Sequence, residues 1–235
     1  MIVAIYLPIE FASAQSFPVT SSFDDGNEGW VIFDDGNPAA WLSTGGFPGG
    51  YARLVDAGPA PTSLLAPIEY TGDWSSLDGV GMISYDHLVG IQSVIVETFN
   101  HQITLMGPHG QAVWEGPMPS PPNAGWASYY AVIYESDWSV KSGTWTGLLS
   151  DVQSLIIRYE LYANKSSIDI EGIDNVFVGI RIIGDVNCDN AVNLLDVAPF
   201  IDLMTSGTFD IKGDVNQDGA VDLLDVGPFV ELLTN

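Results

Sequence analysis

An internal repeat close to the carboxyl end constrains the fold of this chain more than any other feature. The segment Gly184-Asp185-Val186-Asn187 returns 29 residues later as Gly213-Asp214-Val215-Asn216. A second stretch, 193–200 (NLLDVAPF), returns at the same offset as 222–229 (DLLDVGPF). Two copies that match in register over this length indicate a duplicated structural unit.

Each copy spaces its oxygen-bearing side chains as an EF-hand-type calcium loop does. Calcium is a hard cation, and such a loop supplies carboxylate, amide and carbonyl oxygens from positions 1, 3, 5, 7, 9 and 12 around a sharp turn at position 6. Position 6 is Asn190 in loop one (185–196) and Gly219 in loop two (214–225), and both residue types tolerate a positive φ. The predicted ligands, with backbone carbonyls from the two alanines, are Asp185, Asn187, Asp189, Ala191, Asn193 and Asp196 in loop one and Asp214, Asn216, Asp218, Ala220, Asp222 and Asp225 in loop two.

The two loops are expected to differ in affinity. Loop one carries three carboxylates and loop two carries four, so tighter calcium binding is predicted at loop two. Position 12 is Asp in both loops, and this shorter side chain requires the following helix to come closer than the Glu of helix-loop-helix sensors does. The alternative is a pair of solvated acidic turns that bind no metal.

An apolar stripe at helical spacing follows each loop and predicts a helix. Pro199 and Pro228 fall in the first turn, where no helical hydrogen bond is lost, if Asp196 and Asp225 cap these helices; otherwise the helices kink there. Residues 184–235 are too few for a robust core of their own, so calcium binding is expected to be coupled to folding. The stripes are Leu194, Val197, Phe200, Ile201 and Met204 in the first copy and Leu223, Val226, Phe229, Val230 and Leu233 in the second.

The duplicated Gly-Asp-Val-Asn…Asp…Asp-Leu-Leu-Asp pattern resembles the type I dockerin module over nearly all of 184–235. The resemblance implies two calcium-loop-plus-helix units related by a pseudo-twofold axis, with Ca²⁺ as the cofactor at both sites. It also implies that the tail docks onto a cohesin-like protein, as dockerins of secreted polysaccharide-degrading enzymes do. The side-chain ligands it implies are Asp185, Asn187, Asp189, Asn193, Asp196, Asp214, Asn216, Asp218, Asp222 and Asp225.

Both copies depart from the dockerin pattern at loop positions 10 and 11. Cellulosomal dockerins often carry a hydroxyl pair there, whereas this chain has Leu194-Leu195 and Leu223-Leu224. The basic pair farther along the helix is replaced by Asp202 and Leu203. The expected partner is therefore a cohesin-like or other surface protein, and the leucine pairs either form an apolar docking patch or pack internally.

From residue 17 to 183 the chain consists of short β-type runs separated by Gly, Pro, Asn and Asp. Several runs alternate polar and apolar residues with a period of two, as in 93–99 and 154–161. No helical periodicity of useful length appears in this region. Many short strands at regular spacing predict a mainly β fold, an antiparallel sandwich, ahead of the small α-helical domain. The predicted strands lie at 29–33, 80–89, 91–99, 129–134, 155–161 and 176–183.

The front region also resembles the laminin B (domain IV) module, over roughly residues 20–182. The segments that carry the resemblance are 23–30 (FDDGNEGW), 66–67 (AP), 72–74 (GDW), 155–158 (LIIR) and 172–176 (GIDNV). It implies an extracellular, non-catalytic jelly-roll sandwich similar to galactose-binding and carbohydrate-binding domains. A structural calcium near the first and last strands of such a sandwich would be held by Asp24 or Asp25 with Asp174; otherwise these residues are surface turns.

Seven tryptophans fall in the front region. Their rings either stack on sugar rings or, as is more common in a sandwich, fill the core. These tryptophans are Trp30, Trp41, Trp74, Trp114, Trp126, Trp138 and Trp145.

The charge balance excludes two classes of partner. The 235 residues include 30 acidic and 6 basic ones, a formal net charge of −24. Nucleic-acid binders neutralise phosphates with Lys and Arg, so this chain is not one, and docking on anionic lipid is disfavoured for the same reason. A single cysteine, Cys188, excludes an internal disulfide framework.

The pattern of residues 1–14 at the amino terminus predicts a shortened secretory signal. An apolar run at 2–7 precedes Ala12-Ser13-Ala14, a small-x-small pattern of the kind left at a signal-peptidase site. The alternative is an ordinary first strand. No apolar run approaches the roughly 18–20 residues needed to span a bilayer. The predicted organisation is therefore a signal at 1–14, a laminin-B-like sandwich at 16–183 and a dockerin-like domain at 184–235, in a secreted or cell-surface protein.

Enzymatic motifs are missing from the sequence. His87, His101 and His109 do not show zinc spacing with other ligands, and there is no nucleophile elbow or phosphate loop. A glycosidase needs two facing carboxylates, and Glu97, Glu115 and Glu135 are the candidates in the front region. Their positions fit solvent-exposed strand faces equally well.

The combined prediction is a secreted, non-catalytic, calcium-binding protein. Its tail would anchor it to polysaccharide-degrading or cell-surface assemblies, and its sandwich would bind polysaccharide or matrix. The alternatives are a structural or adhesion protein without sugar affinity and, third, a glycoside hydrolase.

Overall fold

The structure is a computed structural model of the chain, and it consists mostly of short strands. It describes residues 15–33, 36–56, 62–91, 95–158, 160–164, 169–187, 191–207, 209–216 and 218–234. The predicted secretion signal at 1–14 therefore lies outside the described residues. In chain order the strands are β1 (Val19–Ser21), β2 (Val31–Ile32), β3 (Ala40–Gly46), β4 (Gly49–Asp56), β5 (Ser63–Leu65), β6 (Gly81–Ile91), β7 (Ile95–Thr98), β8 (Gln102–Gly107), β9 (Gly110–Glu115), β10 (Trp126–Val132), β11 (Ser139–Gly143), β12 (Ser154–Arg158), β13 (Tyr162–Asn164) and β14 (Asp169–Ile180).

These strands form two main antiparallel sheets. The first sheet has the order β10–β6–β14–β4–β3, and β1 also pairs with β14. The second has the order β11–β9–β8–β12–β5–β2, and β7 pairs separately with β13. The prediction of a mainly β fold with antiparallel sheets is confirmed.

A large aromatic and aliphatic core holds the two sheets together. Trp30, Trp74 and Trp145 are fully buried in it. Core residues lie two positions apart on several strands, as the pleat requires, for example on β8, β12 and β14. The core also contains Phe23, Leu64, Tyr70, Leu77, Ile83, Tyr85, Ile103, Leu105, Ile133, Leu148, Leu155, Ile157, Ile173, Val176 and Val178.

Some predicted boundaries in the front region were wrong. The apolar run 91–99 divides between the end of β6 and the separate strand β7. The strand predicted at 176–183 is instead the long β14, which begins at Asp169 and ends at Ile180. A short helix, α1 (Trp145–Ser150), also lies in this region, where no helix was predicted. Thr144 caps it by accepting a hydrogen bond from Gly147 N. Six residues are too few to show helical periodicity, so the sequence pattern could not reveal it.

The predicted tail helices are α2 (Val197–Ser206) and α3 (Val226–Thr234). Asp196 is the N-cap residue of α2, and Phe229 N donates to Asp225 O at the start of α3. Pro199 and Pro228 therefore lie in the first turn of each helix, which leaves the helical hydrogen bonds intact.

The two copies of the repeat pack against each other in a reciprocal way. A Cβ on Gly184 would lie 2.8 Å from Leu232 Cδ1, and one on Gly213 would lie 2.9 Å from Leu203 Cδ1. The first glycine of each copy thus lies against the helix of the other. The rings of Phe200 and Phe229 stack between the helices, with centroids 4.2 Å apart.

The tail packs on the outer face of the first sheet. Phe177 lies between Val176 and Val178 of the core cluster, so its side chain is on the opposite face, yet it is buried. Lys212 Nζ lies 5.1 Å from the Phe177 ring centroid, and Phe209 contacts Tyr130 at 6.2 Å between centroids. The tail therefore covers part of this face. Among the described helices, none has the length and apolar character to cross a membrane.

Candidate functional site

The last carboxylate of each loop makes the same hydrogen bonds in both copies. In loop one, Asp196 accepts from the backbone N–H groups of Asn187 (3.0 Å) and Asn193 (2.8 Å). In loop two, Asp225 accepts from those of Asn216 and Asp222, both at 2.9 Å. Positions 3, 9 and 12 are thus tied together identically, as expected for a duplicated loop that must close around one point.

The first carboxylate of loop two organises the sharp turn. Asp214 accepts hydrogen bonds from the backbone of Asp218 (3.0 Å) and of Gly219 (2.9 Å). Gly219 has φ +92°, a conformation that L side chains rarely adopt, so glycine is favoured at this turn. Asp218 also accepts from Ala220 N at 3.1 Å. The loop backbone therefore holds the acidic groups at positions 1 and 5.

The first and last carboxylates of each loop are buried, which is energetically unfavourable for charged groups. Asp185, Asp196, Asp214 and Asp225 are each at most 5% exposed. The only basic residue between 184 and 235 is Lys212, which lies 3.7 Å from Asp210 and over the Phe177 ring. Buried carboxylates are costly unless a positive charge or hydrogen bonds compensate them. Hydrogen bonds within the loops compensate part of this cost, and a set of carboxylate, amide and carbonyl oxygens fits Ca²⁺.

Part of loop one cannot be compared with loop two. Asp189, Asn190 and Cys188 lie outside the described residues. Within the described part of the chain, no three His, Cys, Asp or Glu side chains are arranged as a metal centre. The loops bring Asn187, Asn193 and Asp196 together, and Asp214, Asn216, Asp218, Asp222 and Asp225, through hydrogen bonds. The calcium ligand set and the ligand roles of Asp185, Ala191 and Ala220 stay predictions.

The leucine pairs do not pack internally. Leu194, Leu195, Leu223 and Leu224 are between 66% and 82% exposed, so that alternative was wrong. They follow the predicted ligand at position 9, and in each copy the second leucine donates its backbone N–H to that side chain: Leu195 to Asn193 and Leu224 to Asp222. The hydrogen-bonded turn therefore presents matched apolar pairs to solvent.

In the sandwich, Asp174 is a buried carboxylate at the edge of the β3–β4 hairpin. It accepts hydrogen bonds from Phe47 N (2.6 Å) and Asn175 N (2.8 Å). Burial raises its pKa to about 7, and the charges of Asp86 and Asp24 add to that effect. Asp24 accepts from Gly50 N at 3.4 Å, whereas Asp25 is an exposed turn residue. Asp24 and Asp174 are thus neighbours, and a third calcium between them stays a prediction.

Most of the tryptophan side chains are buried in the core of the sandwich. Trp30, Trp74, Trp114, Trp138 and Trp145 are buried, whereas Trp41 is exposed and Trp126 half-buried. Trp126 and Tyr51 meet edge to face, 5.3 Å between centroids. A Cβ on Gly172 would lie 2.7 Å from Tyr51 Cδ2 and 3.0 Å from Trp126 Cη2. The missing side chain of Gly172 therefore lets the two rings lie across the centre of the outer sheet face.

A groove of about 690 Å³ lies between this outer face and the tail. Ser84 and Asp86 of β6, Ser128 and Tyr130 of β10 and Asn175 of β14 line it from the sheet side. Asn175 follows a register shift between β14 and β6 and has φ +49°, which marks a bulge. Its side-chain amide donates to Asp86 Oδ2 at 2.8 Å and to Phe47 O. Sequence reasoning missed this groove because its lining comes from segments spread between Gly46 and Lys212, which no local pattern connects.

A buried polar cluster inside the sandwich was also missed. His87 Nε2 lies 3.0 Å from Glu171 Oε2, and both residues are buried. His101 Nδ1 lies 2.7 Å from the Tyr85 hydroxyl, and its ring stacks on Tyr129 at 3.6 Å. Glu171 also accepts from Leu161 N and Tyr162 N. His87 lies on β6 and His101 immediately precedes β8, so the strand pattern predicts burial near these positions but not this pairing.

His101 is expected to make a contribution to the stability of the sandwich that is lost in mild acid. Burial, and then the nearby His87 and Arg158, hold the pKa of His101 well below its usual value of about 6.5. The unfolded chain takes up a proton near that pH and the folded chain does not, so acidification favours unfolding. His101 by itself lowers the unfolding free energy by about 1 kcal/mol between pH 6.5 and pH 5.5, and the wild type minus the His101→Gln variant gives this contribution.

Urea unfolding followed by tryptophan fluorescence at these two pH values measures that loss. Burial raises the pKa values of Asp86 and Asp174, so both carboxyl groups work in the opposite direction on acidification. They are common to the wild type and to His101→Gln, so the difference between the two proteins isolates the histidine. Equal pH profiles for the two would contradict the assignment.

The carboxylates weighed for hydrolysis are dispersed. Glu97 lies on β7, Glu115 ends β9 and Glu135 lies in a short turn before β11, and all three are exposed. His109 is exposed in the turn between β8 and β9. The prediction that the protein is not an enzyme stays a prediction.

Comparison with known proteins gives distant structural similarities. No family model matches the chain, so the dockerin and laminin B resemblances stay predictions. No curated protein matches it either. The L4b domain of human laminin α-2 is 14% identical with a TM-score of 0.41, over 52% of this chain and 71% of that one. A family 11 carbohydrate-binding module from Clostridium thermocellum is 15% identical with a TM-score of 0.42, over 69% and 95%. An exo-β-agarase is 13% identical with a TM-score of 0.45, over 70% of this chain but only 26% of the agarase.

Proposed function

We propose that this chain is a secreted, non-catalytic, calcium-binding modular protein. Its tail binds two Ca²⁺ ions and anchors it to a cohesin-like or other surface protein, while its jelly-roll sandwich binds a glycan. The observation that carries the calcium proposal is the set of four buried carboxylates at matched loop positions in a segment with one basic residue. A bound divalent cation would neutralise each pair.

Within each loop, different residues would bind the ion and orient the groups that bind it. Carboxylates and amides supply the oxygens, and the backbone N–H groups of positions 3 and 9 orient the last carboxylate. Calcium would supply the missing positive charge and couple the loop to the helix that follows it. The exposed leucine pairs then offer an apolar contact for the protein partner. An adhesion protein without sugar affinity remains the alternative.

Isothermal titration of the chelator-treated full chain tests the calcium proposal. Two ions per chain are expected, with the tighter event at loop two because it has one carboxylate more. Asp225→Asn should remove the tighter event and Asp196→Asn the weaker one. Asp202→Asn removes one tail charge outside the loops and should leave both events unchanged. No heat of binding, or loss of the tighter event in Asp196→Asn, would contradict the assignment.

A further inference from the structure

The tail does more than follow the sandwich in the chain, because it forms one wall of the groove on the outer sheet face. Residues from loop one, from α2 and from the segment before loop two all line it. Val186 and Asn187 belong to loop one, and Asp202, Leu203 and Phe209 follow it. The volume of about 690 Å³ is in the range of natural ligand pockets, roughly 300–1,000 Å³.

An aromatic pair stands inside this groove. Tyr130 of β10 and Phe209 of the tail lie 6.2 Å apart between ring centroids. Both also line a neighbouring hollow of about 460 Å³, so the pair has open space on two sides. Phe47, at the tip of the β3–β4 hairpin, lines the groove and is 39% exposed. These rings offer flat apolar surfaces contributed by both parts of the molecule.

The sheet side of the groove is polar and held in place. Ser128 Oγ donates to Asp86 Oδ1, and the Asn175 amide donates to Asp86 Oδ2. Ser84 lies one pleat along from Asp86 on the same face. Hydroxyls and a fixed carboxylate beside aromatic rings match a ligand that has apolar ring faces and a rim of hydroxyl groups.

The charge around the groove selects against anions. Asp86, Asp202 and Asp210 line it, and the basic lining residue, Lys212, is buried with its Nζ 3.7 Å from Asp210. A net charge of −24 adds long-range repulsion. A purely apolar ligand would cover the Asp86 network without hydrogen-bonding to it, which is unfavourable.

We infer that the groove between the outer sheet face and the tail binds a neutral oligosaccharide, with Phe209 of the tail and Tyr130 of the sandwich as its stacking wall. This inference rests on the proposed function, since it names the site and ligand class of the glycan binding suggested there. It goes beyond it because the glycan site is composite and requires the tail. Loop one contributes Val186 and Asn187 to the lining, so calcium loading and sugar binding share residues.

Titration of the calcium-loaded full chain with neutral hexasaccharides, namely cello-, xylo-, manno- and laminarihexaose, tests the inference. We expect at least one to bind and hexagalacturonate, which is anionic, to bind none or at least tenfold more weakly. Phe209→Ala and Tyr130→Ala should each weaken the bound hexasaccharide by about tenfold or more, as truncation of a central aromatic does. Phe209→Tyr keeps the ring and should retain binding. Tyr134→Ala, an exposed tyrosine that does not line the groove, is the matched control.

The outcomes separate the inference from the proposed function. If the wild type binds a neutral hexasaccharide and Phe209→Ala binds it equally well, the sugar site lies elsewhere and the inference fails while the proposed function stands. If the wild type binds none of the probes, the inference and the glycan-binding part of the proposed function both fail, while the calcium proposal is decided by its own titration. Unchanged calcium stoichiometry and tryptophan fluorescence show that a variant is folded. Should Phe209→Ala not fold, Ser84→Phe, which fills the groove from the sheet side, must abolish binding; retained binding would overturn the inference.

Discussion

Chelating calcium with EGTA is expected to unfold the tail and to leave the core of the sandwich folded. If each loop binds calcium with a dissociation constant of about 1 µM, as sensor loops do, 1 mM calcium stabilises the tail by about 4 kcal/mol per site, or about 8 kcal/mol in all. Small domains have only about 5–15 kcal/mol of stability, so the tail does not survive this loss. The physical reason is the set of buried carboxylates, which repel one another without a cation.

Two spectroscopic signals separate the two parts of the chain. All seven tryptophans lie before residue 184, so their fluorescence reports the sandwich. The longer of the described helices, α2 and α3, lie in the tail and supply most of the helical contribution to the circular dichroism at 222 nm. We expect EGTA to remove most of the helical signal, with full recovery on adding calcium. A helical signal that persists through EGTA, followed by no calcium uptake, would contradict the proposal.

Phe200→Ala or Phe229→Ala should destabilise the calcium-loaded tail by about 3–5 kcal/mol each. The two rings stack at 4.2 Å, are 2% and 3% exposed, and form the contact between the two repeats. Removing a buried ring loses its transfer free energy and leaves a cavity that a tail of this size cannot refill. Because the rings touch each other, the double variant should cost less than the sum of the single ones.

Urea unfolding in saturating calcium, followed at 222 nm, measures these costs. Ile201→Ala is the matched control, since Ile201 follows Phe200 on the same helix but is 46% exposed. It should cost less than about 1 kcal/mol. A Phe200→Ala protein as stable as the Ile201→Ala protein would show that the two repeats do not depend on this contact.

Local patterns predicted the elements whose cause is local. The offset of 29 residues between the copies predicted two equal units, and the structure has matching hydrogen bonds to Asp196 and Asp225. The helix starts agree with the alternative in which Asp196 and Asp225 precede the helices, because a proline is tolerated in the first turn of a helix but not in its interior. Period-two runs predicted strands, although pairing set where each strand ends.

Features that leave no local periodic pattern, or that depend on distant residues, were not predictable. The short helix α1 is too brief for a periodic signal, and its Thr144 cap is a single residue. The leucine pairs have the composition of a core, but the loop hydrogen bonds of Leu195 and Leu224 orient both pairs toward solvent. The His87–Glu171 pair joins residues 84 positions apart, which no local pattern connects.

The sequence alone determined that this chain has a β-rich front and an acidic, duplicated, helix-bearing tail, because periodicity, turn residues and repeat spacing act over a few residues. Only the tertiary structure decided that the tail lies on the outer sheet face, that Phe177 and Lys212 are buried there, and that Tyr130 and Phe209 share one groove. Such contacts depend on which apolar surfaces remain uncovered once the sheets have formed, and that is a property of the folded chain.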